Sequence, residues 1–222
     1  MQDLVRQILT PTGLLRVCIN LGNAVLAQQE KGELKGISVD LAKKLAEQLQ
    51  VEHQFIIVKN ASASVKAISS GEADIGFFAI DPQRAEVIQF SQPYLSIYGS
   101  YLVHRHSSIQ HINEVDNTAH RIVVARGSAY DLYLSRHLNH AQLIHTQTSQ
   151  EVVDVFLAGY YEVAAGVHQQ LLADAQRVKD VRLLPGHFME IQQAMGVAKQ
   201  AVSRVIDYLN QFLAQHRGLI KS

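Results

Sequence analysis

The sequence predicts an α/β fold organised as two similar lobes. Strand-like and helix-like periodicities alternate along the chain, the arrangement that builds a sheet covered on both faces. The alternation completes one β-α-β-α-β series before residue 81 and begins another at Arg121. The two series share their punctuation. Gly71-Glu72-Ala73-Asp74-Ile75 and Gly159-Tyr160-Tyr161-Glu162-Val163 each place an acid three residues after a helix-stopping glycine.

In the first series Leu14–Asn20 reads as a strand, and Ser38 or Asp40 opens a helix carrying Leu41, Ala42, Leu45 and Leu49 on one face. Residues 51–58 read as a strand, 60–70 as a helix stopped by Gly71, and 73–80 as a third strand. This order predicts a parallel sheet. In the second series 121–125 is a strand, and Ser128 starts a helix with Asp131 at capping-box spacing. A strand at 141–146, a helix capped by Thr148 and Glu151, and a strand at 162–167 follow. Two extended segments, 99–104 and 191–198, read as crossings between the lobes rather than interior strands, and two crossings make a bending hinge. The expected division is 1–103 plus 195–222 for lobe one and 104–194 for lobe two. A last helix, 201–214, carries Val202, Val205, Ile206, Leu209 and Leu213 at helical spacing and is expected to pack on lobe one.

Composition narrows the function. Lys and Arg balance Asp and Glu at 20 each, which removes the electrostatic argument for nucleic acid or an anionic membrane as partner. The single cysteine, Cys18, lies in an apolar strand and reads as a buried, inert thiol. No apolar run approaches transmembrane length, and the first ten residues, with Asp3 and Arg6, make no signal-peptide core. Either a targeting segment was removed or the protein has none. The groups His104/His106/His111 and His137/His140/His145 lack an i, i+4 pair with a nearby carboxylate, so no metal is expected. No cofactor is expected either.

Function points to the ends of the strands. The run Ile75, Phe77, Phe78, Ala79, Ile80 stops at Asp81, a good N-cap, with Pro82 suited to the first helical position. Arg84 then falls in a first turn whose amides are electropositive, a two-pronged receptor for a carboxylate. The alternative is a solvated Arg paired to a surface acid. Arg126-Gly127-Ser128-Ala129-Tyr130 occupies the matching strand end of the second series. Its alternative is a plain helix cap.

With these residues in place, the chain resembles the bacterial extracellular solute-binding proteins of family 3, the receptors of polar amino-acid ABC importers. The stretches that carry the resemblance are Leu15-Arg16-Val17, Gly36-Ile37-Ser38-Val39-Asp40-Leu41-Ala42, Gly71-Glu72-Ala73-Asp74-Ile75 and Arg126-Gly127-Ser128-Ala129-Tyr130. Asp81-Pro82-Gln83-Arg84-Ala85 with Ile88-Gln89-Phe90-Ser91-Gln92-Pro93-Tyr94 is the most specific. The resemblance implies a periplasmic binding protein type II fold, a monomer, an ABC permease as membrane partner, and a small carboxylate or amino acid as ligand. It implies that Arg84 grips the α-carboxylate, assisted by amides around Ile80, Asp81, Ser128 and Ala129 and by the Ser128 hydroxyl. Phe78, Ala79, Gly127 and Tyr130 flank these contacts, and Asn20-Leu21-Gly22-Asn23 forms a wall. Tyr94 or Tyr98 could line the cleft or serve core or rim.

The chain departs from the family pattern in three places. Ala79 stands where Ser or Thr is usual, and the segment from Asp74 to Arg84 is short. Val167 stands where an Asp commonly holds the ligand's ammonium, and His168 comes next. His168 can act as a neutral acceptor or, protonated, as an anion contact. Of Gln192 and Gln193, successive on a strand, one is expected to face the ligand and the other solvent. The fold has also given rise to dehydratases, for which Glu190 and Asp81 are the acid candidates, but no nucleophile–base pair is present and an enzyme is not expected. A ligand-sensing role outside transport stays open. The family implies a periplasmic location, and a cytoplasmic one stays open.

Overall fold

The computed structural model describes residues 2–201 and 203–220. Two units are resolved by their internal packing, Met1–Ser96 with Gln192–Ser222, and Ile97–Ile191. The sequence reading set the divisions at 103/104 and 194/195, inside the same two long strands.

Unit 1 begins with α1 (Gln2–Leu9) and β1 (Leu15–Asn20), followed by the hairpin β2 (Gln28–Glu30) and β3 (Glu33–Lys35). Next come α2 (Ile37–Leu49), β4 (His53–Val58), α3 (Ala61–Ser69), β5 (Ile75–Ala79) and β6 (Ile88–Phe90). The chain leaves this unit within β7 (Leu95–His104). Unit 2 then holds β8 (Arg121–Ala125), α4 (Ala129–His137), β9 (Gln142–Thr146), α5 (Val152–Ala158), β10 (Val163–Val167), α6 (His168–Arg177) and β11 (Val181–Leu183). β12 (Met189–Ala198) carries the chain back, and α7 (Ser203–Gln215) and α8 (Arg217–Ile220) close the described part.

In unit 1 β1 is flanked by β4 and β5, both parallel to it, and β12 lies antiparallel to β5 with Gln193 opposite Ala79. In unit 2 β8 is flanked by β9 and β10, again parallel, and β7 lies antiparallel to β10 with Gly99 opposite Val167. Each sheet is thus mixed rather than parallel throughout. The extended segments expected to stand outside the lobes are full sheet members. Their polar backbone would otherwise lie buried and unpaired, and a ladder satisfies it.

The shared punctuation has a shared geometry. Asp74 accepts from the Arg16 amide at 2.9 Å and from its Nε at 3.0 Å, with Nη2 closing a bidentate pair. Glu162 does the same for Arg121, from the amide at 2.8 Å, Nε at 3.0 Å and Nη2 at 2.8 Å. Each clamp ties the start of a central strand to the residues leading into β5 in unit 1 and β10 in unit 2. Asp74 is the more buried acid, its side chain 5% exposed against 29% for Glu162.

The helices form where apolar spacing demands, with caps that refine the reading. Asn60 caps α3 by accepting from the Ala63 amide at 2.9 Å. Helix α2 starts after Gly36 rather than at a Ser38 or Asp40 cap. Gly36 sits at φ +117°, and a β-carbon there would run into the Leu26 carbonyl. Val39, Leu41, Ala42, Leu45 and Leu49 form the buried stripe of α2. Helix α7 buries Val205, Leu209, Phe212 and Leu213 in the same core and packs on α1, which contributes Val5 and Leu9. Val202 lies outside the described residues. Cys18 is buried, and desolvation pushes its thiol up, so it stays protonated at neutral pH. No helix among the described residues is long and apolar enough to cross a membrane.

Asp74→Ala is expected to cost about 2–3 kcal/mol in urea unfolding, because it strands a half-buried guanidinium and the Arg16 backbone amide. Glu162→Ala, at the more open clamp, should cost less.

Candidate functional site

Within each unit the candidate residues lie at the carboxyl ends of that unit's parallel strands, where open α/β sheets hold ligands. The unit 1 edge follows β1 and β5. After β1, the Asn20 side chain accepts from the Gly22 amide at 2.8 Å and Asn23 accepts from Val25 at 3.2 Å. These Asx turns fix the loop's backbone. A side chain at Gly22 would meet the Lys59 carbonyl, so the loop needs glycine there.

After β5, Asp81 accepts from the Gln83 amide at 2.9 Å, and a single 3-10 turn, Arg84–Glu86, follows. The expected α-helix is not formed. Ile88 pairs at once with Ala198 in the β6–β12 ladder, and the short chain between leaves room for one turn only. Three residues carry no appreciable helix dipole, so the electropositive character here comes from Arg84 itself. Arg84 is 5% exposed and Asp81 4%. Burial pulls the guanidinium down to about 10, while the charge of Asp81 acts the other way, so the group stays cationic at neutral pH. Its Nη1 donates to the Ala79 carbonyl at 3.1 Å.

Around Arg84 the sequence candidates separate. Gln193 is buried opposite Ala79, on the same sheet face, while Gln192 is exposed, the alternation expected of a strand. The Ile80 amide is already spent, donating to the Gln192 carbonyl at 2.8 Å. The Ile80 side chain is exposed. Phe78 belongs to the core with Cys18, Ile68 and Ile88, and its ring covers Gly76 and Gly196. Tyr94 is buried in the larger core, where desolvation pushes its phenol up.

The unit 2 edge centres on the turn before α4. Gly127 adopts φ +70°, which a glycine takes without strain. Its amide donates to Asp131 at 2.7 Å, and Asp131 also meets His145 Nε2 at 2.8 Å. Ser128 is a true N-cap, accepting from the Asp131 amide at 3.1 Å, and its own amide donates to the Ala125 carbonyl. Amide and hydroxyl of Ser128 therefore serve the fold, because Asp131 and Ala125 reach them locally. Ala129 and Tyr130, the first two helical residues, keep amides without a partner in the helix. The Tyr130 ring is core, its hydroxyl donating to Ser149 at 3.2 Å.

His168 opens α6 at the end of β10. Its Nδ1 lies 3.0 Å from the Ser100 hydroxyl, which also lies 2.8 Å from Nδ1 of His187. Ser100 is fully buried, and His187 stacks on the exposed Tyr98 at 4.6 Å. Ser100 and His187 were not singled out from the sequence, where 87 residues separate them. Glu190 is exposed. Among the described residues no three His, Cys, Asp or Glu side chains are grouped to hold a metal ion.

Known proteins give this arrangement a context. Residues 15–218 match the family model described as bacterial extracellular solute-binding proteins, family 3. The amino-acid-binding protein AabA of Dichelobacter nodosus is 26% identical over 162 residues, covering 69% of this chain and 62% of that protein. The glutamine-binding protein of Geobacillus stearothermophilus is 22% identical over 179 residues, covering 79% and 68%. The crystal structure of the ancestral amino acid-binding protein AncCDT-1, a precursor of cyclohexadienyl dehydratase, superposes with a TM-score of 0.81 at 19% identity, covering 97% of this chain and 95% of that one. The chain thus spans just under two thirds of AabA, and the structural likeness establishes the fold.

The capping role of Ser128 predicts that Ser128→Ala lowers stability by about 1 kcal/mol in urea unfolding, the usual cost of a lost N-cap.

Proposed function

The chain belongs to the bacterial extracellular solute-binding proteins, family 3, and we propose that it captures a small carboxylate-bearing solute, an amino acid or close analogue, for delivery to an ABC permease. The observation that carries this reading is the buried cation of Arg84. A guanidinium held away from water at a strand end is costly, and an incoming carboxylate offsets that cost through two parallel hydrogen bonds. Gln193, packed beside Ala79, is the amide that contacts the same solute. The Ala129 and Tyr130 amides and His168 are the contribution of unit 2, made as the hinge at β7 and β12 closes. Asn20 and Asn23 shape the wall.

The chain acts by binding rather than by catalysis, as the named relatives do. Its partners are the solute and the permease, it works as a monomer, and its place is outside the cytoplasm, in keeping with the family description.

Screening of amino acids and small carboxylates by thermal shift tests the proposal. A solute at about a hundred times its Kd should stabilise the protein by about 2.7 kcal/mol. Arg84→Ala, folded by circular dichroism, should weaken calorimetric affinity by about a hundredfold, close to 3 kcal/mol. Unchanged affinity in that variant defeats the proposal, as does a panel with no binder.

A further inference from the structure

Ser100, His168 and His187 form a three-membered hydrogen-bonded cluster at the carboxyl end of β10. Ser100 faces Gly166 across the β7–β10 ladder and reaches both imidazoles through one hydroxyl, at 3.0 Å and 2.8 Å. The two rings stand nearly perpendicular with centroids 4.8 Å apart. Because both Nδ1 atoms converge on Ser100, each Nε2 lies on the far side of its ring.

A hydroxyl has one hydrogen, and that fixes the tautomers. Ser100 donates to one imidazole and accepts from the other, since the Gly186 carbonyl, at 3.4 Å, is the poorer acceptor. Of the two neutral rings, one then carries hydrogen on Nδ1 and offers a bare Nε2, while the other offers Nε2–H. The cluster shows one donor and one acceptor, the complement of a primary carboxamide. A single added proton goes to the bare Nε2 and breaks neither bond to Ser100. The cluster now shows two donors and a positive charge, the complement of a carboxylate.

From this geometry we infer that Ser100, His168 and His187 determine specificity, favouring a solute whose second polar group is a carboxamide when the cluster is neutral and a carboxylate once it has taken up one proton. This rests on the reading of these strand ends as the solute site. Burial and the charge of His187 both hold His168 below the ordinary imidazole range, so uptake of the proton belongs to mildly acid conditions. Among the other ionisable groups on these strands, Tyr98 stacks on His187, Tyr101 on Phe188 and His104 on Phe156, and Glu190 on β12 is exposed. Asp131 on α4 is held by Gly127 and His145, and Asp174 on α6 by Gln170 and Arg177.

Calorimetry with three matched pairs tests the inference: glutamine and glutamate, asparagine and aspartate, succinamate and succinate. For the pair that binds, the carboxylate-to-carboxamide affinity ratio should rise about tenfold between about pH 8 and about pH 5, where a free imidazole gains its proton. In the doubly substituted His168→Gln, His187→Gln protein the ratio should stay constant. Proton NMR of the unliganded protein adds a readout free of solute: His168 should gain its proton below the ordinary imidazole range, and Ser100→Ala should shift that step. A constant ratio in the unsubstituted protein overturns the inference, as does a rise that survives in the double variant. Binding of other carboxylates through Arg84 with none of the three pairs bound also overturns it and leaves the receptor reading standing. Failure of every solute overturns both.

Discussion

Each unit depends on an arginine–carboxylate clamp at the amino end of its central strand. Arg16 with Asp74 and Arg121 with Glu162 use the same three donors, one of them the arginine's own backbone amide. Parallel strands have no hairpin to set their register, so a fixed point must come from side chains. With the amino ends pinned, β1 and β5 finish level, and so do β8 and β10. Within each unit the loops after them then emerge on one edge, where a site can form.

Much of the architecture is legible in the sequence because it follows from local periodicity. The strand at Arg121–Ala125 and the helices capped by Asn60 and Ser128 lie where apolar spacing and capping residues place them. What escapes is decided over long range. The antiparallel places of β7 and β12 depend on partners far along the chain, and nothing in their own residues marks them as interior. Helix α1 and the β2–β3 hairpin escape for another reason. Their segments are short, and α1 becomes a stable helix through Val5 and Leu9 packing on α7.

The site divides in the same way. Residue type and position identify Arg84, and its burial beside Asp81 fits a receptor for an anion. Amide donors read less well, because a sequence shows that an N–H exists but not what it meets. Those of Ile80, Gly127 and Ser128 go to Gln192, Asp131 and Ala125. In the proposed site those three amides are therefore spent within the fold, and the side chains of Arg84, Gln193 and His168 carry more of the proposal. His168 gains partners in Ser100 and His187, which the fold brings to it across distant stretches of chain.

The order of the strands also bears on how the polypeptide is made. Unit 2 occupies residues 97–191, so it is an insertion within unit 1. On the ribosome β12 and α7 emerge only after all of unit 2, which has every strand of its own sheet available by then. Until that moment β5 presents an unfilled flank, and the apolar faces awaiting Phe212 and Leu209 stay open to water. The nascent first unit is thus the stage most exposed to aggregation during synthesis, while the inserted unit can mature on its own.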